Sequence, residues 1–134
     1  MSEEELLRQP ADAYMNDAQR AFFRQVLETQ KQALRARTGA RLDALREPEI
    51  NSDPLDVGSA EEQRQWQLRL LEREKKLLGK IDAALDRLAR GEYGWCAETG
   101  EPIGLGRLLL RPTATLCVEA KERQERKEKH LRDA

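Results

Sequence analysis

Two cysteines stand in a frame that usually holds a metal. Cys96 and Thr99 are separated by two residues, as are Cys117 and Ala120, and seventeen residues lie between the pairs. With cysteine at all four positions this would be the spacing of a structural zinc site, in which thiolates complete a tetrahedron. Here the second position carries a hydroxyl and the fourth only a methyl group. His130 is the other donor to consider, and it lies more than a helical turn beyond Cys117. Two thiolates do not supply the binding energy on which such a knuckle folds. The frame therefore predicts no structural zinc. Taken alone, it also fits a coincidence in which both cysteines are small core residues.

The second candidate chemistry is acidic. Asp53 and Asp56 stand in the run DPLD, with Gly58 just beyond. Such a run forms a proline-containing turn with Asx-type hydrogen bonds, or it presents two carboxylates at a loop tip. The third is basic. Arg73, Lys75, Lys76, Lys80, Arg87 and Arg90 are interleaved with Glu74, Asp82 and Asp86, a pattern that most often marks a solvated helix face. One histidine, no nucleophile motif and no phosphate loop argue against a stand-alone catalyst.

The elements that must position these groups are helical. The 134 residues are 37% charged and 4% aromatic, a composition of long helices and coiled coils rather than of a large core. A formal net charge of -1 argues against nucleic-acid affinity built on bulk positive charge. No apolar run reaches the roughly 20 residues that span a membrane. The acidic start MSEEELL has no signal-peptide core, so a cytoplasmic protein is expected, with its cysteines as thiols or ligands rather than a disulfide.

Residues 1–15 read as a tail with one short turn near Glu4–Leu7. Asn16 and Gln19 fit an N-cap and its partner for a helix reaching about Arg46, with Phe22, Val26, Ala33 and Ala40 on one edge of its stripe and Leu27, Leu34 and Leu45 on the other. Pro48 ends it. After a connector with its tip at 48–58, Ser59 and Glu62 match a capping box. Trp66, Leu70, Leu77, Ile81, Ala84 and Leu88 then repeat at helical spacing beside Leu71, Leu78 and Leu85, up to a stop at Gly91. Two helices of about 30 residues should fold back as an antiparallel coiled-coil hairpin about 45 Å long. Residues 92–118 read as compact irregular structure, and 118–132 as a charged helix with Glu119–Arg123 and Glu125–Lys129 pairs. The fold class is mostly α, with domains at 16–91 and 92–134.

The run GEYGWCAETGEPIGLGRLLLRPTATLCVEAKE, behind helices joined through DPLD, resembles the DksA/TraR family of bacterial transcription factors. The likeness extends from YMNDAQ to the last helix and is carried by EPIG, RL, RPTA and LC together. Typical members have four zinc cysteines, and this chain matches only the first and third. It is similar to the zinc-independent members that stand in when zinc is scarce.

The resemblance implies an RNA polymerase partner, approached through the secondary channel, with Asp53, Asp56 and Gly58 at the tip acting near the active site. It implies guanosine tetraphosphate (ppGpp) as co-regulator, contacted by Lys80, Arg111 and Lys121, and polymerase contacts at Arg73 and Leu77. It further implies destabilised open complexes, repressed ribosomal RNA promoters and some activated amino-acid biosynthesis promoters. A monomer that reads no DNA bases, touches no membrane and catalyses nothing is expected. Two other functions are to be weighed: a Gre-like transcript-cleavage factor, and a thiol redox-responsive regulator using Cys96 and Cys117. How the knuckle holds without metal is a packing question. Tyr93, Trp95, Ile103, Leu105, Leu108–Leu110, Leu116 and Val118 are expected to close around it, Thr99 to bond to backbone, and Ala120 to fill a ligand position.

Overall fold

The structure is a computed structural model that describes residues 1–46 and 54–133, with only the backbone described at 54–57. Five α-helices follow in order: α1 Glu3–Leu7, α2 Asp17–Arg46, α3 Pro54–Arg90, α4 Leu105–Leu110 and α5 Val118–Asp133. The described residues contain no strand, only an isolated antiparallel bridge between Trp95 and Pro102. The mostly helical fold expected from composition and periodicity is present. The chain divides into two compact units, Met1–Leu27 with Ala83–Ala134, and Glu28–Asp82.

In the first unit the N-terminal residues are not a loose tail. Ser2 and Glu5 close a reciprocal capping box on α1, α1 packs on α4, and Leu6 is fully buried. A single buried leucine contributes about 1.5–3 kcal/mol, which offsets part of the cost of ordering this short helix, about 1–2 kcal/mol per residue. Asn16 caps α2 as its type predicts, accepting from the Gln19 N–H at 2.8 Å. Gln19 itself is buried and turns elsewhere. Its Oε1 accepts from the Met15 N–H at 2.6 Å, and its Nε2 donates to Gln9 at 2.6 Å. Both ends of this amide are thus satisfied inside the unit, as a buried amide requires.

Phe23, Leu27, Ala84, Leu88, Tyr93, Ile103, Leu108 and Ala120 form the core of the unit. The helix α3 ends where Gly91 adopts φ +75°. The Gly91 N–H then bonds to the Leu88 carbonyl and the Glu92 N–H to that of Arg87, a Schellman stop that glycine adopts without strain. The segment read as irregular holds α4, started by Gly104 at φ +100°.

In the second unit α2 and α3 run antiparallel. The order of their cross-links shows it: Lys31 with Asp82, Thr38 with Glu74, and Arg41 with both Glu74 and Gln67. Leu34 and Ile81 are buried in the seam. Leu71 and Leu78 are half-buried on the seam side of α3, as is Leu85 in the first unit. Leu27, Leu34, Ile81, Ala84 and Leu88 are buried as the periodicity predicts, but the stripe departs from that reading at its edges. Trp66 and Leu77 face outward at 54% and 42% exposure, and on α2 Phe23 is buried while Ala33 and Ala40 are exposed. The physical reason is a polar layer. Glu74 and Gln67 occupy seam positions and bond Thr38 and Arg41 there, which turns the neighbouring Trp66 and Leu77 outward. The helix also begins earlier than Ser59, at Pro54, a residue suited to the first helical position because its missing N–H is not needed there.

Candidate functional site

The cysteine frame is built from the two ends of a short irregular segment. Residues 94–103 form a tight loop closed by the Trp95–Pro102 bridge, with the Ile103 N–H on the Gly94 carbonyl and the Cys96 N–H on that of Glu101, both at 2.8 Å. The Gly100 N–H returns to Cys96 O at 2.9 Å, and the Ala97 N–H reaches Thr115 O at 2.8 Å, tying this loop to the RPTA segment. Cys96 is buried and Cys117 half-buried, and both are free thiols.

Thr99 does what its position in the frame suggested. Its hydroxyl accepts the Glu101 N–H at 3.2 Å and lies 4.0 Å from the Cys117 sulfur. Ala120 is fully buried in the first turn of α5. Burial alone would raise the Cys96 thiol above its ordinary value. The Thr99 hydroxyl and the backbone N–H groups of Cys117, Thr99 and Glu98 outweigh burial and lower it from 9.0 to about 6. These are donors that stabilise a thiolate without a cation.

The donor set does not fit a tetrahedral zinc ion. Two sulfurs, one hydroxyl held to backbone and one methyl group cannot complete four N/S ligands. Among the described residues no cluster of three or more His, Cys, Asp or Glu could hold a metal.

Side chains from outside the frame hold this region together. The Tyr14 hydroxyl donates to the Gly94 carbonyl at 2.5 Å and accepts from the Gly104 N–H at 2.9 Å, spanning both mouths of the loop. Its ring meets Trp95 edge-on, 5.1 Å between centroids. Met15 packs so closely that a Cβ at Gly94 would lie 2.8 Å from it. Tyr93 donates to the Pro112 carbonyl at 2.7 Å, and Arg107 Nε to that of Leu116 at 3.0 Å. Burial raises the phenol pKa of both Tyr14 and Tyr93, so both stay neutral donors. Sequence reading missed Tyr14; its only signal was an aromatic residue just ahead of the Asn16 cap. Of the apolar residues expected to close the knuckle, Tyr93, Ile103 and Leu108 are buried, whereas Trp95, Leu110 and Val118 are exposed.

The basic candidates fall in both units. Arg111 is exposed at the start of the RPTA turn, and Lys121 is half-buried in the first turn of α5, with its Nζ 3.3 Å from Gln124. Both belong to the first unit, whereas Lys80, Arg73 and Leu77 are exposed on α3 in the second. Arg123 pairs with Glu98 at 3.3 Å rather than with Glu119. Arg87 is half-buried, and its Nη2 has no hydrogen-bond partner among the described residues. Of the residues expected at the tip, Gly58 is exposed on α3. Asp53 lies outside the described residues, and Asp56 is described only as part of the α3 backbone.

Comparison with known proteins covers nearly the whole chain. The family described as "DnaK suppressor protein DksA, N-terminal domain" matches residues 19–88, and "Prokaryotic dksA/traR C4-type zinc finger" matches residues 91–126. The RNA polymerase-binding transcription factor DksA of Caulobacter vibrioides is 46% identical over 123 residues, 91% of this chain and 87% of that protein. The protein of the same name from Escherichia coli K12 is 37% identical over 91% of this chain and 82% of its own. Among solved structures, transcription factor DksA2 from Pseudomonas aeruginosa superposes with a TM-score of 0.88 at 67% identity, covering 96% of this chain and 100% of that one. Two family matches in tandem, close relatives along nine-tenths of the chain, and the coiled-coil fold with its zinc-finger-like end place this protein in the DksA family.

Proposed function

We propose that this protein is a transcription factor that binds bacterial RNA polymerase through the secondary channel and works without zinc. The antiparallel α2–α3 pair serves as a narrow arm, and Asp53 and Asp56 with Gly58 form its tip near the polymerase active site. Carboxylates at the end of such an arm would face a basic, Mg²⁺-bearing centre in a weakly screened space. Lys80, Arg111 and Lys121 bind ppGpp together with polymerase, since lysine and arginine suit its pyrophosphates. Arg73 and Leu77 contact polymerase.

The effect is a population shift: binding one state of the promoter complex more tightly than another destabilises the open complex. Ribosomal RNA promoters are repressed and some amino-acid biosynthesis promoters activated. The protein acts in the cytoplasm as a monomer, reads no DNA sequence and performs no catalysis of its own.

One observation carries the zinc-independent part. The loop around Cys96 is closed by protein hydrogen bonds, from Tyr14, Thr99 and the backbone, while the donor set lacks two of four metal ligands. The test is multi-round transcription from a ribosomal RNA promoter with chelator-treated protein, with and without ppGpp. Inhibition that ppGpp deepens and that Asp56→Asn abolishes is expected. Inert chelated wild-type protein would refute the reading.

A further inference from the structure

The two missing ligands remove zinc from the cysteine frame but leave two sulfurs at one place. Cys96 lies in the loop 94–103 and Cys117 just ahead of α5, and both are free thiols within the first unit. Shared contacts bring them together. The Thr99 hydroxyl and the Cys117 N–H both act on the Cys96 sulfur. The same hydroxyl lies 4.0 Å from the Cys117 sulfur. One side chain thus reaches both thiols, and the backbone of one cysteine faces the sulfur of the other.

No further strong donor joins them. His130 is exposed and lies twelve residues beyond Val118, about 18 Å along the axis of α5. The Glu98 carboxylate is engaged by Arg123 at 3.3 Å. The Thr99 hydroxyl already accepts the Glu101 N–H. Ala120, at the fourth position of the frame, is fully buried and offers a methyl group.

Two thiolates with no third donor suit few ions. Zn²⁺ asks for four N or S ligands, and iron–sulfur clusters ask for four cysteines. Hard cations prefer oxygen. Soft sulfur donors select Cu(I), a filled-shell ion that is satisfied by two thiolates in a linear arrangement. Such a complex keeps one negative charge. Here that charge meets the backbone N–H groups of Cys117, Thr99 and Glu98 at Cys96. It also sits at the amino end of the 16-residue α5, where the helix dipole favours an anion.

We infer that Cys96 and Cys117 form a two-coordinate site for one Cu(I) ion, bound as a bis-thiolate that ties the 94–103 loop to the start of α5. Each sulfur binds as thiolate and releases its proton to solvent, and no electron is transferred. The inference concerns the cysteine frame alone and is independent of the polymerase reading.

The test is an anaerobic titration of full-length protein with the coloured Cu(I)–bicinchoninate complex, with transfer read as loss of the chelator's absorbance. One copper per chain is expected, with no change of elution volume in gel filtration. X-ray absorption of the loaded protein should show two sulfur neighbours and neither nitrogen nor oxygen. Cys96→Ser and Cys117→Ser should each lower affinity about a hundredfold or more, because losing a ligand exceeds the roughly 10–100-fold effect of losing an outer partner. Thr99→Val, which removes a hydroxyl near both sulfurs but no ligand, should lower it about tenfold. An equal concentration of Zn²⁺ should not displace the copper. Circular dichroism checks the fold of each variant, and where a serine variant unfolds, the sulfur count in the loaded wild type decides. Copper that stays with the chelator would overturn the inference. So would uptake undiminished in either folded serine variant, copper that draws two chains together, or a nitrogen or oxygen neighbour at the metal.

Discussion

At Cys96 the chain keeps a thiol that its surroundings favour as a thiolate. The folded value near 6 lies below the ordinary 9.0, so the group contributes stability above 9 that is lost as pH falls through 6. Ultraviolet thiolate absorbance of the Cys117→Ser variant should therefore titrate with a midpoint near 6. Thr99→Val should move that midpoint upward by removing the hydroxyl donor. Tyr14 is the other residue on which the loop depends. Tyr14→Phe leaves the Gly104 N–H without its partner and the Gly94 carbonyl with the Ile103 N–H alone and is expected to cost about 1–3 kcal/mol in urea unfolding. The frame itself was legible from spacing, including the absence of two ligands and the bond from Thr99 to backbone. Tyr14 was not, because its partners are 80 and 90 residues away, and no local pattern encodes such a contact.

At the scale of elements, helix starts and stops marked by Asn16, Gly91 and the last charged run could be read directly, because caps act locally. So could the centre of the coiled-coil stripe, at Leu27, Leu34, Ile81, Ala84 and Leu88, but not its edges. Apolar counting assigns Trp66 and Leu77 inward. The cross-helix hydrogen bonds of Glu74, at 2.7 Å to Thr38 and 2.9 Å to Arg41, instead bring a carboxylate into the seam. The bond from Thr38 is the main cause of the lowered Glu74 pKa, with Arg41 adding to it, so this layer too loses strength as pH falls through that carboxylate's titration.

Glu74→Ala is expected to destabilise by about 1–2 kcal/mol. Replacing Arg41 and Glu74 together by leucine should cost less than either single change, because no charge is then left without its partner. Urea denaturation of the three variants checks this. A simply additive pair would show that the layer is not coupled.

For the molecule as a whole, composition and periodicity were enough for a mostly helical protein with a hairpin and a small irregular end. They did not show that the two chain ends share one unit. Residues 1–15 look dispensable by local criteria: short, acidic and interrupted by Pro10. Their role emerges only through Leu6 under α4, Gln19 in the interior and Tyr14 across the loop. The aspartates that carry the proposed action on polymerase are legible as a motif, while Asp53 lies outside the described residues and Asp56 is described only in its backbone.

That first unit joins Met1–Leu27 to Ala83–Ala134, and this has a consequence for the order of synthesis. The opening residues leave the ribosome with Phe23 and Leu27 uncovered. They stay so until Tyr93 and Leu108 have been made, since contacts this distant in sequence form late. The α2–α3 seam can zip first, because its cross-linked residues lie 26 to 36 positions apart at Arg41–Gln67 and Thr38–Glu74. A chain stopped short of residue 104 would hold a finished hairpin but an open first unit, presenting to quality-control proteases the apolar face that marks the product as incomplete.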